Sequence, residues 1–121
     1  MKYFIESLEF DDTAVQASCW VPVDYHIKPL EQVALITYHG YLDESVLNME
    51  GKKAIPKAKI QYRIENWVEK SEVEGEPDIE HNDFDTLVQN GLDAAFDVAL
   101  LHHIQNVAQD TRLANAVVKS L

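Results

Sequence analysis

Alternation of apolar and polar residues governs the first half of this chain, and a helical period governs its last third. In residues 2–10, Phe4, Leu8 and Phe10 share one parity, with Glu6 the exception, and Tyr3 and Ile5 share the other, which predicts an opening strand. Asp11 and Asp12 follow as a turn. Residues 14–23 alternate more regularly. Val15, Ala17, Cys19, Val21 and Val23 fall on one face, and Gln16, Ser18, Trp20 and Pro22 on the other. Pro22 lacks a ladder donor, so it marks an edge position or the end of the pairing. Residues 32–42 are apolar on both parities, Ala34, Ile36, Tyr38 and Leu42 against Val33, Leu35 and Tyr41, as expected of a central strand. Residues 43–51 form a connection with one short helical turn closed at Gly51. Residues 58–68 make a half-buried strand ending at Trp67. Ala58, Ile60, Tyr62 and Ile64 point inward, and Lys59, Gln61, Arg63 and Glu65 outward.

After an acidic stretch at 69–82, read as an exposed loop or wide turn, the period becomes helical. Asn82 is placed as an N-cap, with Asp83 and Asp85 in a first turn where the helix dipole favours negative charge. Phe84, Leu87, Val88, Leu92, Ala95, Phe96, Ala99 and Ile104 form a broad stripe to about Val107. Gly91 within that stripe points to close packing against a strand. Asp110 or Thr111 caps a last short helix carrying Leu113, Ala116, Val117 and Leu121. The order predicts one α+β domain over residues 1–121, with strands over 2–68, the acidic loop 69–82 and helices over 83–121. An antiparallel sheet of about four strands is thus covered by one long and one short C-terminal helix.

Composition narrows the function classes. The 121 residues are 46% hydrophobic, enough for a core. Twenty-one acids against ten bases give a net charge of −11, which repels a phosphate backbone, so no direct nucleic-acid partner is expected. One cysteine, Cys19, excludes an intrachain disulfide and a thiolate zinc cluster. Glu6 and Glu9 interrupt any signal-like N-terminal run, and no stretch approaches the ~18 apolar residues of a membrane span, so a cytoplasmic protein without a membrane partner is expected.

No catalytic signature is present. The chain has no G-x-S-x-G elbow, P-loop or G-x-G-x-x-G, and Cys19 reads as a buried, inert thiol, so no enzyme activity and no cofactor are expected. His102 and His103 are adjacent, so their side chains diverge by about 100° and do not easily share an ion. His26 and His81 fall in loops and His39 on a strand, so no metal ligand is predicted. Charge is instead segregated. The basic stretch Lys52, Lys53, Lys57, Lys59 and Arg63 precedes the acidic run Glu72, Glu74, Glu76, Asp78 and Glu80. That run is open to four readings: a solvated loop, an acidic docking surface, a calcium loop that lacks EF-hand spacing, or a mimic of nucleic acid. For the last, carboxylates on an extended segment would repeat at ~6.6 Å. Lysine on a sheet edge blocks aggregation. Alternatively Lys52, Lys53, Lys59 and Arg63 of one subunit meet the acidic run of the next, building a ring or stack.

The segments ALITYHGYLDESV (34–46), GKKAIP (51–56), KIQYRI (59–64) and RLANAVV (112–118), in that order, resemble small structural proteins of tailed bacteriophages. In the ending, Leu113 stands where an aromatic is expected. The resemblance spans about residues 33–121 and marks fold positions, carrying over no functional residue. It implies a virion or assembly component acting through contacts with itself or other structural proteins, in the host cytoplasm and then in the virion. The alternative is an acidic inhibitor or DNA mimic that binds a basic surface of a host nucleic-acid-binding protein.

Overall fold

The computed structural model describes residues 2–9, 16–91 and 101–120. Three long strands, β1 (Lys2–Glu9), β2 (Gln16–Lys28) and β3 (Val33–Tyr41), are followed by a 3-10 turn at Glu44–Asn48 and by β4 (Lys59–Glu65). A two-stranded hairpin comes next, β5 (Trp67–Glu69) with β6 (Ile79–His81), and then helices α1 (Asp83–Asn90) and α2 (Leu101–Asn106). The last strand is β7 (Val117–Ser120). The main sheet runs β4-β3-β2-β1-β7, antiparallel throughout.

This architecture overturns the expected four strands under one long and one short helix. The protein is mostly antiparallel sheet, with two short helices among the described residues. Helix α1 stops at Asn90 because Gly91 adopts φ 79°, a left-handed value that suits glycine and breaks the helical path. A Cβ at Gly91 would meet nothing within 4 Å, so this glycine serves the backbone and not a close packing contact. Leu92, Ala95, Phe96 and Ala99 of the predicted stripe lie outside the described residues. The predicted final helix is replaced by β7, whose Val117 and Val118 pair with Ile5 and Phe4. Paired β-branched residues favour a pleated strand. Asp110 turns its carboxylate onto Arg112.

Strand β4 follows its predicted alternation, with Ile60, Tyr62 and Ile64 buried and Lys59, Gln61 and Arg63 exposed. Strand β3 is interior, between β4 and β2, and is buried on both faces. Strand β2 departs from simple parity. One extra residue in β1 between Ile5 and Leu8, and a bulge at Val23 in β2, shift the register. Trp20 and Ala17 enter the main core while Cys19 and Val21 face the other side, so strict alternation fails between Ala17 and Cys19, opposite the irregularity in β1. Pro22 sits in the interior strand β2 rather than at an edge, but beyond Trp20, where the described pairing with β1 ends, and next to the bulge.

The main core fills the front of the sheet with Phe4, Trp20, Ile36, Tyr38, Ile60, Tyr62 and Ile64, under Phe84 and Leu87 of α1, Ile104 of α2 and Leu113. The Tyr62 hydroxyl accepts from the Leu113 amide at 3.3 Å, fixing the segment that leads into β7. Behind the sheet, Leu47 of the 3-10 turn closes a smaller cluster of Tyr3, Cys19, Val21 and Tyr41. Glu44 ties this turn down, accepting from the Tyr3 hydroxyl at 3.0 Å and from Lys119 at 3.2 Å. Among the described residues no helix is long and apolar enough to cross a membrane.

Candidate functional site

Residues 70–78 form an exposed loop, as expected, but it is the connection of a hairpin whose arms are β5 and β6. Trp67 opens β5, and its partner across the ladder is His81, which lies on β6. The tip turns at Val73–Glu76, where the Glu76 amide bonds the Val73 carbonyl at 3.2 Å and Gly75 takes φ 90°. Glu72, Glu74, Glu76 and Glu80 are exposed on this arm. Asp78 is used internally. Its carboxylate accepts from the Ser71 amide at 2.8 Å and from Lys70 at 3.4 Å. These bonds, the amide foremost, hold its pKa below the ordinary aspartate range. The turn at the tip breaks the extended spacing that a phosphate-like row of carboxylates needs.

The basic residues fall on β4 and on the segment that leads into it. Lys52 donates to the Leu47 carbonyl at 2.9 Å, stabilising the 3-10 turn, and Arg63 pairs with Glu65 at 3.3 Å. Lys53 and Lys59 are exposed. Strand β4 carries Lys59 and Arg63 along the outer edge of the main sheet. Among the described residues no ion pair joins Lys52, Lys53, Lys59 or Arg63 to Glu72, Glu74, Glu76, Asp78 or Glu80, so the two charged groups do not neutralise each other within one chain.

Where the hairpin meets the helices, the fold assembles a histidine cluster that local sequence spacing did not predict. The register that pairs Trp67 with His81 stacks their rings, with centroids 4.3 Å apart and planes 17° from parallel. His102 on α2 closes on both rings, 4.6 Å from His81 and 5.5 Å from Trp67. Asp83, the first residue of α1, lies beneath them, 6% exposed. Its Oδ2 accepts the Trp67 indole N–H at 2.7 Å and stands 3.4 Å from Nδ1 of His103, which is 1% exposed. That Nδ1 makes no hydrogen bond. At the outer side, Nε2 of His81 bonds Oε2 of Glu69 at 2.8 Å. His102 and His103 do diverge, as helical geometry demands, yet both approach the same carboxylate, one from the hairpin side and one from the core.

Asp83 is free to face this cluster because the start of α1 is capped from elsewhere. Asn82 makes no side-chain capping bond. Instead Oδ1 of Asn66, in the link between β4 and β5, accepts from the amides of Phe84 at 3.1 Å and Asp85 at 3.4 Å. One asparagine thus joins the sheet, the hairpin and the helix start.

His81, Asp83 and His102 can each offer one ligand atom, and these atoms lie within 4.8 Å of one another. The signal that could have found them is the hairpin itself. Once Gly75 and Pro77 are read as a turn between two arms, Trp67 and His81 become cross-strand neighbours. His26, predicted in a loop, lies on β2 and is exposed, and His39 lies on β3. Cys19 is fully buried, and burial pushes its thiol up to about 11. Comparison with protein-family models, curated proteins and solved structures finds no match for this chain.

Proposed function

We propose that this protein is a non-enzymatic assembly component, of the tailed-phage virion kind that its order of strands and turns resembles, and that it works through protein–protein contacts. The basic edge of one copy, Lys53 and Lys59 foremost, meets the acidic arm of the next copy or of another structural protein. The observation that carries this reading is the separation of the two charged groups onto different elements. Both stay solvent-facing, and neither is quenched by the other within one chain. A head-to-tail contact of opposite charges closes into a ring or propagates as a stack. On this reading the chain acts in the host cytoplasm during assembly and then in the particle. The same exposed carboxylates underlie the inhibitor alternative, but the turn at Val73–Glu76 disfavours a phosphate-like row.

Light scattering coupled to size exclusion tests the proposal. Self-association, or a complex with a neighbouring gene product, should weaken as salt rises and the Debye length falls from ~10 Å at 0.1 M toward ~3 Å at 1 M. Replacing Glu72, Glu74, Glu76 and Glu80 by glutamine should abolish it with the fold intact. A strict monomer in every mixture at low salt overturns the reading.

A further inference from the structure

From the convergence of His81, Asp83 and His102 we infer a site for a borderline transition-metal ion, Zn2+ or Co2+, that staples the β5–β6 hairpin to the starts of α1 and α2. Two imidazole nitrogens and one carboxylate oxygen make a donor set that suits Zn2+ and disfavours Ca2+ and Mg2+, which prefer all-oxygen shells. Bonds of about 2.0–2.1 Å in a tetrahedron place ligand atoms roughly 3.4 Å apart. Ligand atoms already within 4.8 Å of one another close to that spacing by side-chain adjustment alone. A water or a group from a partner takes the fourth position.

Three features beyond proximity mark this as a built site. First, Asp83 is a carboxylate 6% exposed, whose burial favours cationic neighbours; His103 Nδ1 stands 3.4 Å from it, and a metal ion would be a second. Second, the ligands are oriented from outside. The Trp67 indole holds Asp83 Oδ2 at 2.7 Å, and Glu69 holds Nε2 of His81 at 2.8 Å. A carboxylate behind a ligating histidine fixes its tautomer and raises its basicity, leaving Nδ1 of His81 with the lone pair a metal requires. Third, Nδ1 of His103 is buried without a hydrogen bond 3.4 Å from the same carboxylate, so the interior here is not internally satisfied. Because the hairpin carries the exposed glutamates, the ion would set the pose of the acidic arm. The metal inference itself stands independently of the assembly reading.

The test is titration of chelator-treated, dialysed protein with Zn2+ and with Co2+. One equivalent should bind, Co2+ should show the intense visible d–d band of a tetrahedral N/O site, and excess Mg2+ or Ca2+ should not displace it. Trp67 emission should change on binding. His81→Ala and His102→Gln should each weaken binding by a factor of at least ~100, and Glu69→Gln by about tenfold. His26→Ala, at an exposed histidine elsewhere, should leave binding unchanged. Paramagnetic broadening of the His81 and His102 imidazole signals in the unaltered protein gives a readout that needs no variant to fold. Absence of a stoichiometric site, broadening confined to exposed carboxylates, or equal affinity in the His81→Ala/His102→Gln double variant would overturn the inference. In that case the cluster is an aromatic stack and nothing more.

Discussion

Gly40 tests the packing of the main sheet more sharply than any other single residue. It lies in β3 opposite Trp20, and a Cβ built on it would stand 2.6 Å from Ala17 Cβ, 3.0 Å from Ala58 Cβ and 3.0 Å from Trp20 Cη2. None of these neighbours retreats cheaply. The Trp20 ring is fully buried and its Nε1 donates to the Glu6 carbonyl at 3.0 Å. The backbone at Gly40 is tied to Ala58 at 2.8 Å and to Ile55 at 2.9 Å. In open space Gly40→Ala would stabilise a strand by about 0.5–1 kcal/mol. Here overpacking reverses the sign, with an expected net loss of about 1–3 kcal/mol. At this chain length that is a fall in Tm of roughly 4 °C per kcal/mol. Urea denaturation followed by far-UV circular dichroism gives the value. Adding Ala17→Gly to Gly40→Ala should recover part of the loss, with a coupling energy of about 1 kcal/mol or more. A Gly40→Ala protein as stable as the parent, or more stable, would refute the close approach of β3, β2 and the 54–58 segment.

Other substitutions probe the hairpin and the helix start. Asn66→Ala should cost about 1 kcal/mol or somewhat more in urea denaturation, whereas Asn82→Ala should change stability by only a few tenths, the reverse of what chain order suggests. Trp67→Phe keeps a ring over His81 but leaves Asp83 without its indole donor, and should cost about 1–3 kcal/mol in the same assay. Asp78→Asn should loosen the acidic arm, seen as faster amide exchange at Ser71. The Asp78 contribution is present above the unfolded aspartate pKa and disappears as pH falls through the lowered folded value. Cys19 behaves oppositely. Its folded pKa of about 11 exceeds the unfolded value near 9.0, so its contribution is intact below about pH 9 and is lost as pH rises toward 11. Cys19→Ala should shrink the alkaline loss of stability, and the native thiol should resist labelling at pH 8.

Strands β3 and β4 were legible because alternation in a sheet is written residue by residue, and Ile60, Tyr62 and Ile64 against Lys59, Gln61 and Arg63 leave one consistent register. Helix α1 was legible in its start and its inner face, Phe84 and Leu87, but not in its end. Apolar spacing continues past Gly91, and only the backbone angle there reveals the stop. The final strand was hidden by Asp110 and Thr111, which look like caps, and by a four-residue strand too short to show a period of two. The charged groups were visible as a linear pattern, although the structural uses of Lys52, Arg63 and Asp78 were not. The histidine cluster was least visible, because His81, Asp83 and His102 lie on three elements and meet only through the Trp67–His81 register.

The pairing of β1 with β7 has a consequence for biosynthesis. Phe4 waits for Val118, so the first strand keeps one naked flank until β7 has left the ribosome. Closure between such distant positions carries a large loop entropy and slows maturation, and prematurely terminated products would present that flank to each other. Nascent chains halted before residue 117 should therefore need chaperones that chains carrying β7 do not.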